Sequence, residues 1–270
     1  MNKAWRVGVH GAGGRMGRAV IQALHQHPQL SLSVATDAPG SSLIGTDSGE
    51  LAGVGRNAVL LTDQLDQAAA QCDVVIDFSR PQGTLLLVEA LAASDVALVT
   101  GTTGLAAAEQ AKLLELAQSR PVVQAANFSV GVNVCVKLTE MAARIMHGMA
   151  DIEIIEAHHK HKVDAPSGTA LRLGQAVCDA LDQNLDDVAV KSRDGNIGPR
   201  PDGTIGFSTV RGGDIVGEHT VLFAAEGERV EITHKASSRM NFATGAVRAA
   251  AWLREQPAGL YDMTHVLGLE

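Results

Sequence analysis

Three of the ten histidines and two of the lysines crowd into five consecutive residues, His158-His159-Lys160-His161-Lys162, in a chain of formal charge −8. Histidine titrates near neutrality, lysine can donate a proton, and both stabilise negative charge developing on a substrate. The cluster follows a strand-like run, Ile152 to His158. Beyond it, Pro166-Ser167-Gly168-Thr169 opens a helical pattern whose first N–H groups and Thr169 hydroxyl could hold a carboxylate. An anion site with acid/base chemistry is one reading; a solvated charged loop is another, the usual fate of a charge run. A metal site is a third, from the spacing of His158 and His161. It lacks an H-E-x-x-H or a cysteine partner, and Lys160 and Lys162 would repel a cation.

A second constellation suits a nucleotide. Gly11-Ala12-Gly13-Gly14-Arg15-Met16-Gly17 lies between a strand-like run, Arg6 to His10, and a helical stretch, Arg15 to His27. Glycine there permits close backbone approach to a pyrophosphate, and a helix N-terminus favours its charge. The glycines fit G-x-x-G-x-x-G through Gly11, Gly14 and Gly17, whereas the usual G-x-G-x-x-G would need a glycine at Met16; a tight turn alone is the alternative. Asp37 ends the second strand, Leu30 to Ala35, where an acid would accept hydrogen bonds from ribose hydroxyls; otherwise it caps a turn. Ala38-Pro39 follow it and no arginine does, so the usual cation for a 2′-phosphate is missing and NADH is favoured over NADPH, with Arg15 able to compensate in part. Gly101-Thr102-Thr103-Gly104, Asp77-Phe78-Ser79-Arg80 and Ala125-Ala126-Asn127-Phe128 end further strands and could wall a cofactor, the threonines through their hydroxyls.

Periodicity supplies the elements that must position these residues. In the first half, apolar runs at Val74 to Phe78, Ala97 to Thr100 and Val122 to Ala125 alternate with helices beginning near Pro81 and Ala106, the pattern of βαβ units around a buried parallel sheet. After Asn127 come a helix over Val130 to Met146, the strand Ile152 to His158 and a helix over Thr169 to Leu181. Three strand-like runs, Gly206 to Arg211, Gly217 to Ala225 and Gly227 to Lys235, follow without helices between them. The expected fold is α/β: a Rossmann-like doubly wound sheet over residues 1–127, an inserted α+β domain with a mixed sheet over 128–240, and a segment, 241–270, packing back on the first domain. The loop Lys191 to Thr204 is long enough to be functional.

Composition agrees with a small-molecule enzyme. With 22 Lys and Arg against 30 Asp and Glu, and only 3% aromatic residues, nucleic acid is not an expected partner. No run reaches 18 apolar residues and the first ten lack the features of a signal peptide, so neither a membrane nor export is expected. Cys72, Cys135 and Cys178 read as buried thiols in a reducing cytoplasm.

Taken together, the glycine loop, Gly101-Thr102-Thr103-Gly104, Ala126-Asn127-Phe128-Ser129 and Glu156-Ala157-His158-His159-Lys160-His161-Lys162-Val163-Asp164-Ala165-Pro166-Ser167-Gly168-Thr169 closely resemble the 4-hydroxy-tetrahydrodipicolinate (dihydrodipicolinate) reductase family. So do the segments around Gly203 to Phe207, Arg211 to His219 and His234 to Arg239, so the likeness spans nearly the whole chain. The resemblance implies reduction of a cyclic dicarboxylate to tetrahydrodipicolinate, in diaminopimelate and lysine synthesis, by NADH or NADPH. It implies His158 as the acid/base residue and Lys162 as proton donor, with His159, Gly168 and Thr169 holding substrate carboxylates. Gly11, Ala12, Gly13, Gly14, Arg15, Met16, Asp37, Gly101, Thr102, Thr103, Ala125, Ala126, Asn127 and Phe128 would form the cofactor site. It further implies a homotetramer built through the substrate-domain sheets, and domains that close about hinges near Asn127 to Val130 and Ser238 to Asn241. Many members carry Arg where this chain has Ala38, which bears on cofactor choice. Two alternatives stay open: an aspartate-semialdehyde type of dehydrogenase, which needs an acyl-forming cysteine, and a catalytically silent dinucleotide sensor, which has no need of His158 and Lys162.

Overall fold

The computed structural model describes residues 4–269. The first half runs β1 (Trp5–His10), α1 (Arg15–His25), β2 (Leu30–Thr36), α2 (Ser48–Ala52), β3 (Leu61–Thr62), α3 (Leu65–Gln71), β4 (Val74–Asp77), α4 (Pro81–Leu91), β5 (Ala97–Thr100), α5 (Ala107–Ala117) and β6 (Pro121–Gln124). There follow α6 (Val130–Met146), β7 (Ala150–His158), α7 (Gly168–Leu181), α8 (Leu185–Val188), β8 (Ala189–Val190), β9 (Ile205–Arg211), β10 (Gly217–Ala225) and β11 (Glu228–Ala236). The chain ends with α9 (Met240–Leu253), β12 (Gly259–Tyr261) and α10 (Met263–Leu267). These elements form two compact units, one from the residues up to Val130 together with those from Arg239 onward, the other from Gly131–Ser238.

In the first unit seven parallel strands take the order β12-β6-β5-β4-β1-β2-β3. Every residue of β4 and β5 is buried, as strands covered by helices on both faces must be. The chain enters at β1, builds outward through β2 and β3, then crosses to β4 on the other side. That reversal lies between β1 and β4, where open α/β sheets bind ligands at the carboxyl ends of their strands. Small side chains on α9 (Ala243, Ala246, Ala249 and Ala250) are fully buried in the same core as α1 and β1. Close packing of that helix depends on Gly245, where a Cβ would run into the carbonyl oxygen of Phe128.

The second unit holds a five-stranded sheet in the order β11-β10-β7-β9-β8. Alternation along β7 buries Ile152, Ile154, Glu156 and His158 on one face, and along β10 it buries Gly217, His219, Val221 and Phe223. The apolar members pack with Ala170, Leu173 and Val177 of α7 and Val132 and Val136 of α6. The core face therefore turns polar at one end, where β7 finishes. The three runs expected at Gly206 to Arg211, Gly217 to Ala225 and Gly227 to Lys235 become β9, β10 and β11, but β9 and β10 are not neighbours. β7 lies between them, parallel to β9 and antiparallel to β10. The connection wraps the end of β7 through Gly212 N–H to His158 O (2.9 Å) and His159 N–H to Ile215 O (2.8 Å). Residues 191–204 form no helix or strand, and their Arg193 and Arg200 are pinned to Glu153 on β7 at 2.7 and 3.1 Å.

Cys72 and Cys178 are buried, but Cys135 is only half-buried, because it sits at the margin of the α6 face that packs on the sheet. No described helix is long and apolar enough to cross a membrane.

Candidate active site

The glycine loop connects β1 to α1 with Gly11 in the left-handed region (φ 75°). A Cβ at Gly17 would strike the carbonyl oxygen of Gly11, with Ala12 Cα 2.6 Å away, so glycine is required there for the helix to start against the loop. Gly14 caps α1 without a side-chain hydrogen bond, and the first turn carries no acid. These are properties a pyrophosphate site needs: an open helix N-terminus, no acid in the first turn and no Cβ in the way.

The loop's amides do not all face a ligand. Ala12 N–H donates to Thr36 O (3.0 Å), Gly14 N–H to Gly11 O (3.0 Å) and Gly13 N–H to Asp37 Oδ2 (3.0 Å). The fully buried Ala12 therefore serves as packing, and the amides of Arg15 and Met16 belong to the first turn of α1, at the helix end. His10, just before the loop, was not singled out by sequence; it is buried, its Nδ1 pairs with Thr36 Oγ1 (2.9 Å), and burial lowers its pKa.

Beyond β4 and β5, the expected wall residues divide into two groups. Thr102, Thr103, Ala125 and Ala126 line one cleft of about 380 Å³ with Gly104, Gln110 and Gln124. Thr102 does not present a free hydroxyl to it: that hydroxyl is buried and donates to Asp77 Oδ2 at 3.2 Å. Asp77 is itself fully buried and also accepts from Thr84 (2.6 Å), Thr100 (2.9 Å) and the N–H of Ser79 (2.9 Å). It is a hub that ties the ends of β4 and β5 to α4, not a wall. Phe128 is likewise 1% exposed, edge-on to Phe78 at 5.6 Å, so its ring packs in the core. Thr103, Gly104 and Ala126 are the exposed members.

In the second unit the histidine-lysine cluster begins on the last residue of β7. His158 Nδ1 lies 2.6 Å from Glu156 Oε2, and Arg211 from β9 donates to both oxygens of Glu156 at 2.7 and 2.8 Å. The N–H of Ser167 adds a further bond to Glu156 Oε1 (3.0 Å). Burial alone would raise the Glu156 pKa, but Arg211, His158 and Ser167 outweigh it and hold the carboxyl at about 2. Burial lowers the His158 pKa despite the opposing pull of Glu156. Lys162 Nζ donates to Asp164 Oδ1 at 2.8 Å.

Ser167 caps α7, accepting from Ala170 N–H, and pairs through Oγ with His219 Nε2 (3.0 Å). No acid occupies the first turn of α7, and a Cβ added at Gly168 would meet nothing within 4 Å, so the helix start is open to a ligand. His159 keeps its Nδ1 buried without a partner among the described residues. One sheet end thus gathers His158, His159, Lys162, Gly168 and Thr169. Sequence reading missed the roles of Glu156, Arg211, Ser167 and His219. The first was accessible, since two residues apart on a strand means one face.

A larger cavity of about 610 Å³ lies at the opposite end of this sheet, lined by residues such as Met149, Asp151, Arg200 and Ala225, and holds none of these groups. Among the described residues no cluster of His, Cys, Asp and Glu is arranged to hold a metal ion.

A doubly wound sheet with a glycine loop and an acid after its second strand, joined to a unit bearing an acid/base cluster, defines a dinucleotide-dependent oxidoreductase. Solved structures of similar fold include dipicolinate-bound dihydrodipicolinate reductase from Paenisporosarcina sp. TG-14 (TM-score 0.76, 23% identity, 96% of this chain and 97% of that one). Another is amine dehydrogenase from Mycobacterium smegmatis (TM-score 0.60, 12% identity, 96% and 95%). Residues 5–128 match the family model for the N-terminus of dihydrodipicolinate reductase, and residues 131–267 match that for its C-terminus. The chain belongs to the dihydrodipicolinate reductase family. Proteins of Acinetobacter baumannii strains ACICU and AYE, both described as 4-hydroxy-tetrahydrodipicolinate reductase, are 56% and 57% identical over 269 residues, covering 100% of this chain and 98% of each relative.

Proposed function

We propose that the chain reduces 4-hydroxy-tetrahydrodipicolinate to (S)-2,3,4,5-tetrahydrodipicolinate in the diaminopimelate route to lysine, binding the dinucleotide in the first unit and the dicarboxylate in the second. One observation carries the reading: His158, Lys162 and the open start of α7 converge at the end of β7. When bound, reduced nicotinamide supplies the hydride. The substrate ring loses water and gains one hydride and one proton, so the protein must deliver that proton and neutralise two carboxylates. Lys162 protonates the carbon on which hydride addition leaves electron density, and His158 exchanges protons as the acid/base group. His159 and the N–H groups of Gly168 and Thr169 hold carboxylate oxygens, using the helix terminus as an anion site. This local positive field offsets the acidic balance of the chain.

On the cofactor side, the amides of Arg15 and Met16 meet the pyrophosphate, Asp37 the adenosine ribose, and the cleft at Thr103 and Ala126 the nicotinamide ribose and amide. Asp37 followed by Ala38 favours NADH. Ile155 and Val210 stand 40% and 50% exposed on the same face of the neighbouring strands β7 and β9, which supports assembly into a homotetramer through that sheet.

The experiment is loss of reduced-nicotinamide absorbance on adding freshly generated 4-hydroxy-tetrahydrodipicolinate, with NADH and NADPH in parallel and the product identified by mass. His158→Ala and Lys162→Ala should each lose at least about 10²-fold in turnover with nucleotide affinity little changed. Nucleotide binding without turnover in the unaltered protein would point to a sensor or to another substrate.

A further inference from the structure

We propose that Glu156 is the positioning residue of this site: a carboxylate clamped by Arg211 and Ser167 that fixes His158 with its proton on Nδ1 and leaves Nε2 to exchange protons with substrate. The proposal rests on the reading of His158 given above. Its basis is the geometry of the carboxylate. Glu156 is 1% exposed, and each oxygen already has two close donors: Oε2 meets His158 Nδ1 at 2.6 Å and Arg211 Nη1 at 2.7 Å, while Oε1 meets Arg211 Nη2 at 2.8 Å and Ser167 N–H at 3.0 Å. An ionised carboxylate only accepts, so the imidazole must donate from Nδ1. Neutral His158 then carries its lone pair on Nε2.

Other contacts agree with this division of labour. Gly217 on β10 lies beside the ring, and a Cβ there would come 3.0 Å from His158 Nε2, so the missing side chain keeps that nitrogen uncrowded. The Arg211 guanidinium that grips Glu156 also donates to the carbonyl of Asp164 (2.7 Å), two residues beyond Lys162. Through Ser167 the same carboxylate indexes the start of α7. One buried anion therefore sets the acid/base ring, the loop carrying Lys162 and the helix end assigned to the substrate carboxylates. Being enclosed with both oxygens occupied, Glu156 is not itself the proton exchanger.

The charged and titratable groups facing His158 are Glu156 on its own strand, Lys162 from the following loop, Arg211 from β9 and His219 from β10, whose ring centroid is 5.0 Å away. Glu156 alone among them favours the imidazolium. Removing its charge leaves only groups that oppose a proton on His158, so the titration midpoint of that ring must fall.

The test uses the full chain labelled with ¹⁵N-histidine, His158 being assigned by loss of its signals in His158→Asn. Long-range ¹H–¹⁵N correlations should report neutral His158 protonated on Nδ1. In Glu156→Gln the tautomer should become mixed or reversed and the midpoint should drop. Turnover should fall about 10²-fold and its pH profile should shift with the midpoint, while KM for the dinucleotide stays within about twofold. Because Glu156→Gln leaves Arg211 without its counter-ion, the double variant Glu156→Gln/Arg211→Met is measured beside it; it removes both charges and should keep the fold and the same tautomer change. An unchanged tautomer and midpoint in both variants, or turnover within about threefold of wild type, overturns the proposal. Wild-type turnover in His158→Ala overturns the reading of His158 and this proposal with it, and which variant stays active tells the two failures apart.

Discussion

Gly13 donates its backbone N–H to Asp37 Oδ2 at 3.0 Å, while the other oxygen of Asp37 accepts from Ala38 N–H at 2.8 Å. The acid is thereby locked against the glycine loop, and a Cβ at Gly13 would strike it. A fixed anion followed by Ala38 and not by an arginine repels a 2′-phosphate and accepts from a 2′-hydroxyl. NADH should therefore give the higher kcat/KM in side-by-side initial rates. Ala38→Arg should move the NADPH to NADH ratio by about tenfold toward NADPH, the worth of one charge-assisted hydrogen bond. Equal or better use of NADPH by the unaltered chain would sink this reading of Asp37.

Two glycines in helix starts should respond in opposite ways to the same added methyl group. At Gly17 a Cβ meets backbone on two sides, which cannot yield without displacing the loop, so Gly17→Ala should lose dinucleotide binding and melt earlier. At Gly168 the space is open, so Gly168→Ala should keep its melting temperature and NADH affinity while raising KM for the dicarboxylate. Nucleotide fluorescence titration and thermal unfolding of both variants check the pair. Loss of NADH binding in Gly168→Ala would contradict its assignment to substrate.

These positions also mark how far the chain could be read in advance. Strong periodic patterns placed β1, β2, β5, α6, α7 and β10 to within a residue or two, because burial on one face imposes its period on the sequence. Short elements escaped. α2 exists because the Asp47 carboxylate accepts from the amides of Gly49, Glu50, Asn57 and Ala58, a web that five residues of pattern cannot announce. Strand order escaped as well, since nothing in the β9 and β10 residues says that β7 will lie between them. In the site, residue types pointed to His158 and Lys162, whose direct partners Glu156 and Asp164 each lie two residues away, but the Arg211 that clamps Glu156 comes from β9, 55 positions along the chain. Thr102 reads as a ligand hydroxyl only until the fold brings Asp77 beneath it.

Stability should depend on pH through His219. It is 5% exposed, and burial, reinforced by neighbouring His158, lowers its pKa from 6.5 to about 4. Above the unfolded value neither state holds the proton and the full contribution is present. As pH falls below about 6.5 the unfolded chain binds the proton first, and stability declines until the folded form is protonated near pH 4, a loss on the order of 3 kcal/mol. Glu156 governs a lower window: its contribution is present above the unfolded value of 4.5 and is lost as pH falls toward about 2. His219→Gln should make the first limb shallower, the rest of it coming from histidines such as His10 and His158 that burial also lowers, and leave the second in place. Urea unfolding across pH 7.5 to 3.5 measures this, and an unchanged slope between pH 6.5 and 4 in the variant would refute it.

Asp77 offers a test that separates support from contact. If it touched the cofactor directly, removing it would weaken NADH binding and leave the fold alone. The structure instead buries it completely, with the hydroxyls of Thr84, Thr100 and Thr102 and the N–H of Ser79 converging on its oxygens. Asp77→Ala strands these donors where water does not reach. At about 1–3 kcal/mol for a buried group left unsatisfied, and with partial relief as the hydroxyls turn elsewhere, the expected cost is about 3 kcal/mol or more. For a unit of this size that is a drop of roughly 6 °C or more in Tm. Asp77→Asn keeps one acceptor oxygen, and the threonine hydroxyls can reverse to accept from its amide, so it should lose less than half as much. Thr103→Val, on the exposed neighbour of Thr102, should leave Tm unchanged and weaken NADH binding alone. Opposite outcomes, a stable Asp77→Ala that no longer binds NADH and a destabilised Thr103→Val, would exchange the roles of the two residues.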